Sequence, residues 1–440
     1  MSHSTVKKSK KTAVPAASKL PVFAQKKGAF LGNIAKVPTP PGNTGLPSVF
    51  SLQTSIKYPE DLVGSQLEKW VLQSVARSCL GNTHRTASCM RNRQYKKPDV
   101  QVKYSLLRKR SFFGNLQTCG SVWSCPICAQ KISESRRNTL ITLVDRHLFL
   151  KSSINPKLPH RGVYLITRTV PHTVNQPAKL LMQQMAKAES KYKSGAPWKR
   201  LVEKFGIIGS VRSVEVTYGA NGWHPHIHEL VFTEEALLVK DKKKYPLERD
   251  DLDDLKEDLY KRWKSAAVRG GFAEPSFENG VDVKDGTYAT RYVSKWGIES
   301  ELTKWHLKKG YKSFGPFDFL RIAQDGGPLA LTARALFIEY SEAFKGVRQL
   351  HPTPGLYALY DLNVEEEKTD EELAQGNEEG ARLLASLTEN EWKCILREGL
   401  RGPLLAAVDA AEGGLDSVET FLMSHSITKN TDAVFGKAKQ

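Results

Sequence analysis

An α+β fold with a largely antiparallel central sheet is predicted by three observations. Residues 163–170 (VYLITRTV), 207–218 (IIGSVRSVEVTY) and 224–232 (HPHIHELVF) have the β-branched, aromatic or alternating composition of strands. Asn221-Gly222 stands between the last two, a strong short-range hairpin signal. Residues 249–268 (RDDLDDLKEDLYKRWKSAAV) set Leu252, Leu255, Leu259 and Trp263 along one side of an amphipathic helix. Strand, helix, hairpin, helix, strand and helix within one block is an α+β order.

The remaining elements follow along the chain. Residues 1–55 read as a basic disordered tail and linker, since 1–40 hold eight Lys and no acidic residue. Such a segment buries too little apolar surface to offset its ordering entropy. Residues 56–150 read as a helical region with a cysteine segment. A helix over 58–78 is expected to turn Leu62, Leu67, Val71 and Val75 inward, and one over 129–150 to use Ile132, Leu140, Leu143 and Leu148. Residues 151–300 hold the predicted strands, a further short strand at 280–284 and a helix over 286–297. Residues 301–360 read as a helical extension, with two helices in 315–346 split by Gly326, Gly327 and Pro328. Residues 361–440 read as an acidic linker and a small helical C-terminal region spanning 387–423.

Composition narrows the function classes. The 440 residues carry a formal charge of +18, and no apolar run approaches the length of a membrane span. No apolar leader opens the chain, so a cytoplasmic rather than secreted protein is expected. Six cysteines are too few for a disulfide scaffold. Residues 351–440 hold 17 acidic and 8 basic side chains, a net of −9, which leaves +27 on residues 1–350. A surplus of that size points to a polyanionic partner, most often nucleic acid.

The sharpest local feature is His224-Pro225-His226-Ile227-His228, with three of the chain's eleven histidines in five residues. On a strand all three imidazoles share one face, while Pro225, Ile227, Glu229 and Val231 share the other. With Asn221 and Gly222 as the central turn residues, Ala220 pairs with Trp223, Thr217 faces His226 and Glu215 faces His228. Glu215 then lies among the imidazoles. His226, His228 and Glu215, with His224 able to replace the carboxylate, are candidate ligands for a divalent cation with open positions. A hydrogen-bonded histidine cluster without metal is the alternative. A metallo-β-lactamase-type zinc site would need Asp-His after the second histidine, where this chain has Glu229-Leu230.

Downstream, Tyr288, Tyr292 and Lys295 fall at i, i+4 and i+7 of the predicted helix, one face. Two phenols and an ammonium there suit nucleophilic attack by tyrosine, although a core aromatic stripe has the same spacing. Cys119, Cys125 and Cys128 form C-x₅-C-x₂-C. In a reducing compartment such thiols suit structural zinc, with Cys89 the first choice of fourth ligand, then Cys79 and His84; buried cysteines without metal are the alternative. The helix that follows offers Lys131, Arg136 and Arg137 to DNA, or simply solvates a surface.

Together these residues resemble the HUH endonucleases, specifically the rolling-circle replication initiator (Rep) proteins of bacterial plasmids and small phages. Tyr164-Leu-Ile-Thr-Arg-Thr-Val-Pro resembles the first motif of the family, His224-Pro-His-Ile-His the second, and Tyr288 to Lys295 the third. The cysteine segment resembles the one that precedes these motifs in bacterial plasmid initiators. The resemblance covers roughly residues 60–350. It implies a palm or ferredoxin-like catalytic domain over 151–300, with a central antiparallel sheet of about five strands and helices on one face. It implies Mg²⁺ or Mn²⁺ on His226 and His228, and Tyr292 as nucleophile assisted by Lys295. Tyr288 matches the extra tyrosine of two-tyrosine initiators, and Arg291 between them is a DNA-binding candidate. The implied partners are single-stranded or supercoiled origin DNA and the host DNA polymerase. No P-loop is present, so a host helicase is implied as well. A two-tyrosine HUH transposase and a non-catalytic zinc-containing DNA-binding regulator are the competing functions.

Overall fold

The structure, a computed structural model, describes residues 67–149, 161–237, 250–285, 313–362, 368–375 and 380–427. The basic tail and the expected helix 286–297, with Tyr288, Arg291, Tyr292 and Lys295, lie outside the described residues. In chain order the strands are β1 (Val100–Ser105), β2 (Arg110–Gly114), β3 (Gly162–Thr169), β4 (Ile207–Gly219), β5 (Gly222–Thr233), β6 (Val281–Asp285), β7 (Ser313–Phe314), β8 (Leu350–Pro352) and β9 (Arg382–Leu387). The helices are α1 (Glu68–Leu80), α2 (Pro126–Phe149), α3 (Ala178–Tyr192), α4 (Gly195–Lys204), α5 (Asp251–Gly270), the single turn α6 (Phe277–Gly280), α7 (Pro316–Asp325), α8 (Ala330–Ala343), α9 (Asp370–Gln375), α10 (Glu389–Arg397), α11 (Arg401–Ala410) and α12 (Ser417–Ser424).

The main sheet is antiparallel, in the order β6-β3-β5-β4-β7, and β8 pairs with β4 beside β7. Alternation sends Ile166, Val214, Val216, Ile227 and Val231 to one face. There they join α3, through Leu181, Met185 and Ala188, and α5, through Leu255, Leu259 and Trp263, in one core. A capping box between Asp250 and Asp253 starts α5, and Gly271 at φ 101° ends it. The opposite face is divided. Val163, Leu165, Leu230 and Phe232 pack under Leu140, Leu143 and Val144 of α2. The histidine end of that face lies beyond this cluster. Among the described residues, helices pack on one face and on part of the other, where helices on one face alone were expected.

The hairpin differs from expectation in its turn. Gly219 pairs with Gly222, so Ala220 and Asn221 form the turn, and Glu215 faces His226 rather than His228. A two-residue Asn-Gly turn needs positive φ at both residues. Here Gly222 alone has it, at φ 82°, just after the turn. Gly222 is also held against the Val174 backbone, where a Cβ would come within 2.8 Å of Cα. The slip is two residues in pairing, so every side chain keeps its face.

A smaller sheet has the order β2-β1-β9, and sequence reading found none of its strands. Its core includes Phe113 between Trp70 (5.7 Å) and Trp392 (5.1 Å), both edge-on. Helix α1 buries Trp70, Leu72, Gln73 and Ala76; of the expected residues, Val75 packs against the core half-buried, Leu67 and Val71 are half-buried, and Leu62 lies outside the described residues. The cause is polar. Glu68 on its first turn binds buried Arg321 at 2.7 Å, and Gln73 donates to the Thr86 and Cys89 carbonyls. These bonds turn the helix away from its apolar stripe.

One packed group gives a pH prediction. His147, fully buried on α2, donates from Nε2 to the Gly162 carbonyl at 2.9 Å and accepts at Nδ1 from the Tyr360 hydroxyl at 2.6 Å. Burial pushes its pKa down to about 4. The unfolded chain therefore takes up a proton below pH ~6.5 that the folded chain refuses until pH ~4. Stability contributed by neutral His147 is lost as pH falls through that window, by roughly 3 kcal/mol in full. Chemical denaturation of the native protein and His147→Gln at pH 7 and 4.5 checks this. The variant is expected to lose less stability between the two pH values, and equal losses would refute the assignment.

Candidate metal centres

Among the described residues, two groups of side chains have the chemistry and spacing of metal ligands. The first lies on the histidine face. Glu215 on β4 places Oε2 at 3.2 Å from His226 Nε2 and 3.1 Å from His228 Nε2. The three ligand atoms lie within 4.8 Å of one another. Thr167 on β3 pairs in register with His228, and its Oγ1 sits 3.0 Å from His228 Nδ1. That contact fixes the ring so that Nε2 faces Glu215, the second-layer role that metal-bound histidines require. His226 Nδ1 lies 3.3 Å from the His224 carbonyl. The donor set suits a divalent cation: two imidazole nitrogens and one carboxylate on a half-buried sheet surface. Burial pushes the Glu215 carboxyl up, but the charge and hydrogen bonds of His226 and His228 outweigh it and hold it well below the usual carboxylate range. His224 stands outside this group. Its ring stacks on His172 at 4.6 Å, and burial pushes its pKa down to about 4.

The second group is Cys89, Cys119, Cys125 and Cys128, all buried. Sulfur separations are 3.4 Å for Cys89–Cys128, 3.6 Å for Cys119–Cys128 and 3.6 Å for Cys89–Cys125. Four sulfurs at about 2.3 Å from a tetrahedral centre would stand about 3.8 Å apart, so the set fits such an ion. Cys89 follows a turn of 3-10 helix at Arg85–Ala87, and the Cys119 N–H donates to its Sγ at 3.4 Å. Cys125 and Cys128 stand at the start of α2, and burial pushes the Cys125 thiol up. Hydrogen bonds from the other three cysteines hold the Cys128 thiol well below its ordinary value, against burial, with help from Lys131. Cys79, half-buried, and His84 lie outside the group.

Sequence reasoning missed what lies behind the histidines. Arg168, between Thr167 and Thr169, points to the core face and is fully buried. It binds Glu229 and, at 2.9 Å, Glu189, with its guanidinium 4.1 Å from the Tyr192 ring. Lys193 also binds Glu229, and Arg212 approaches Glu189 at 3.4 Å. Trp263 donates to the Thr169 carbonyl at 2.7 Å. The network clamps β3 and β5 directly beneath His226 and His228. The available signal was alternation: a charge at a core position of a strand must find a partner.

The cationic candidates on α2 are largely engaged within the chain. Arg136 binds Asp370 and, at 2.9 Å, Gln349; Arg137 binds Glu134 at 3.0 Å.

Fold and sites thus define an α+β protein in which, among the described residues, one group of cysteines and one of histidines with a carboxylate could hold a metal ion. Among known proteins, the chain is similar to "Protein rep" of Streptomyces lividans, at 25% identity over 360 residues, covering 68% of this chain and 76% of that protein. It is also similar to a "Neomycin resistance protein" of Streptomyces cyanogenus, at 32% identity over 142 residues, covering 26% of this chain and 30% of that one. No family model matches, and neither does any solved structure. Among the described residues, no helix is long and apolar enough to cross a membrane.

Proposed function

We propose that this chain is a replication initiator of the HUH type, nicking one strand of origin DNA by tyrosine attack. The observation that carries the reading is the convergence of Glu215, His226 and His228 on an antiparallel sheet, in a chain similar to Protein rep over 360 residues. A divalent cation, Mg²⁺ or Mn²⁺, bound by these three residues would polarise the scissile phosphate. The Tyr292 oxygen attacks phosphorus, its bond to the 5′-phosphate forms as the bond to the 3′-oxygen breaks, and a 3′-hydroxyl is left for a host polymerase. Lys295 favours the phenolate. Arg291 binds the DNA strand, and a host helicase separates the duplex. The four cysteines hold a structural Zn²⁺.

Tyr292 is preferred over Tyr288 because it stands in the Tyr-x-x-Lys position, with Lys295 one turn further along the expected helix.

The test incubates the protein with single-stranded fragments of its own replicon, with Mn²⁺ or EDTA. A covalent protein–DNA adduct is expected that needs metal and disappears in Tyr292→Phe. An adduct lost instead in Tyr288→Phe would move the nucleophile. Tight DNA binding with no adduct on any fragment would favour the non-catalytic regulator.

A further inference from the structure

The β1–β2 hairpin ends in an unusual tip. Ser105 pairs with Arg110, so Leu106, Leu107, Arg108 and Lys109 form a four-residue loop. Leu106 is 63% exposed and Leu107 93%. Arg108, Lys109 and Arg110 are exposed beside them, and residues 100–118 contain no acidic side chain. Two adjacent leucines so exposed to water are unfavourable. Lys109 adds a second cost, because it holds φ 49°, in the left-handed region that favours glycine.

The base of the hairpin is rigid. Strand β1 is central in its sheet, bonded to β2 on one side and β9 on the other. Val102, Tyr104 and Phe113 are buried beneath it. A stiff ribbon thus carries an apolar point between cations. That combination suits duplex DNA: cations fix the phosphates, and an apolar side chain enters a base step and unstacks it.

The geometry points to the β1–β2 hairpin tip as a duplex-DNA contact in which Leu106 and Leu107 wedge into the helix while Arg108, Lys109 and Arg110 hold its backbone. The inference rests on the reading that the chain acts on DNA, and it adds a duplex-binding element far along the chain from the histidine strand. Such a wedge would open base pairs for a nuclease that takes single strands.

The experiment uses the full chain, Leu106→Ser/Leu107→Ser, and Arg108→Ala/Lys109→Ala/Arg110→Ala. Duplex origin fragments carry 2-aminopurine, affinity is measured over a salt series, and adduct formation is followed on single strands. The leucine variant is expected to lose the fluorescence rise that reports unstacking. The cation variant is expected to bind duplex at least ~10-fold more weakly, with a salt slope shallower by about 2–3. Both are expected to melt as the native protein does and to form the single-strand adduct normally. Native-like duplex affinity, slope and fluorescence in both variants would overturn the wedge while leaving the nicking reading intact. So would variants that lose binding to anionic vesicles but keep DNA binding. Failure of the native protein to bind DNA of either form would overturn both readings.

Discussion

Glu229→Ala is expected to lower the stability of the folded protein by roughly 3–5 kcal/mol. Arg168 is wholly buried, and its charge is balanced by Glu229 and Glu189. Removing Glu229 takes away the carboxylate that Arg168 and Lys193 share and leaves Arg168 with Glu189, which Arg212 also approaches. A large part of the loss is the desolvated charge left behind, rather than the missing contact. Glu229→Gln keeps shape and one acceptor, so a smaller loss is expected. Equilibrium urea unfolding at pH 7 measures both. A loss under about 1 kcal/mol for Glu229→Ala would mean that water reaches Arg168 or that the network rearranges. The site should respond as well, since His228 precedes Glu229 on β5 and Arg168 follows Thr167 on β3. Metal affinity at the histidine group is expected to fall with stability.

Cys128→Ser is expected to have an effect of similar or larger size. In small zinc domains the bound metal contributes about 10 kcal/mol or more to folding, comparable with the whole stability of a domain. Cys128 is wholly buried, with Cys89 and Cys119 within 3.6 Å, so the serine cannot be relieved by solvent. The native protein is expected to release one zinc per chain on thiol modification, read by a colorimetric chelator. The variant is expected to purify without it, with early melting of the region around α1, β1 and β2. A variant that carries no zinc and melts with the native protein would show the cysteines to be ordinary core residues. A native protein that holds no metal would do the same.

The main sheet was legible because its signals are local. The alternation of His224-Pro-His-Ile-His sorts the faces without knowledge of register. Glu215 therefore reaches the histidines although the hairpin turn lies at Ala220-Asn221 rather than Asn221-Gly222. A shift of two residues in pairing preserves parity; a shift of one would have removed Glu215 from the site. Cys89 was reachable as the fourth sulfur because thiols have few other reasons to gather. The small sheet was not legible. Residues 382–387 (RLLASL) show no alternation, and their partner lies in β1, far earlier in the chain. Pairing of that kind is set by tertiary packing and leaves little local trace. Thr167 was readable as a strand residue, but its bond to His228 needed the β3–β5 register. The inward face of α1 was hidden because Glu68 and Gln73, which a polarity scale sends to solvent, are the residues that anchor it.

The pairing of β9 with β1 also sets an order of events during synthesis. Strand β1 and Cys128, the last cysteine of the buried group, leave the ribosome about 260 residues before β9 is complete. At translation rates of 5–20 residues per second, one edge of β1 waits roughly 10–50 s for its partner. An open edge of that kind recruits strands from other chains. The early part of this protein is thus finished by its last part, and a message cut short before codon 382 yields a chain whose cysteine region has an unfilled edge. Only chains that extend through β9 bury it, so the fold itself separates them from shorter fragments.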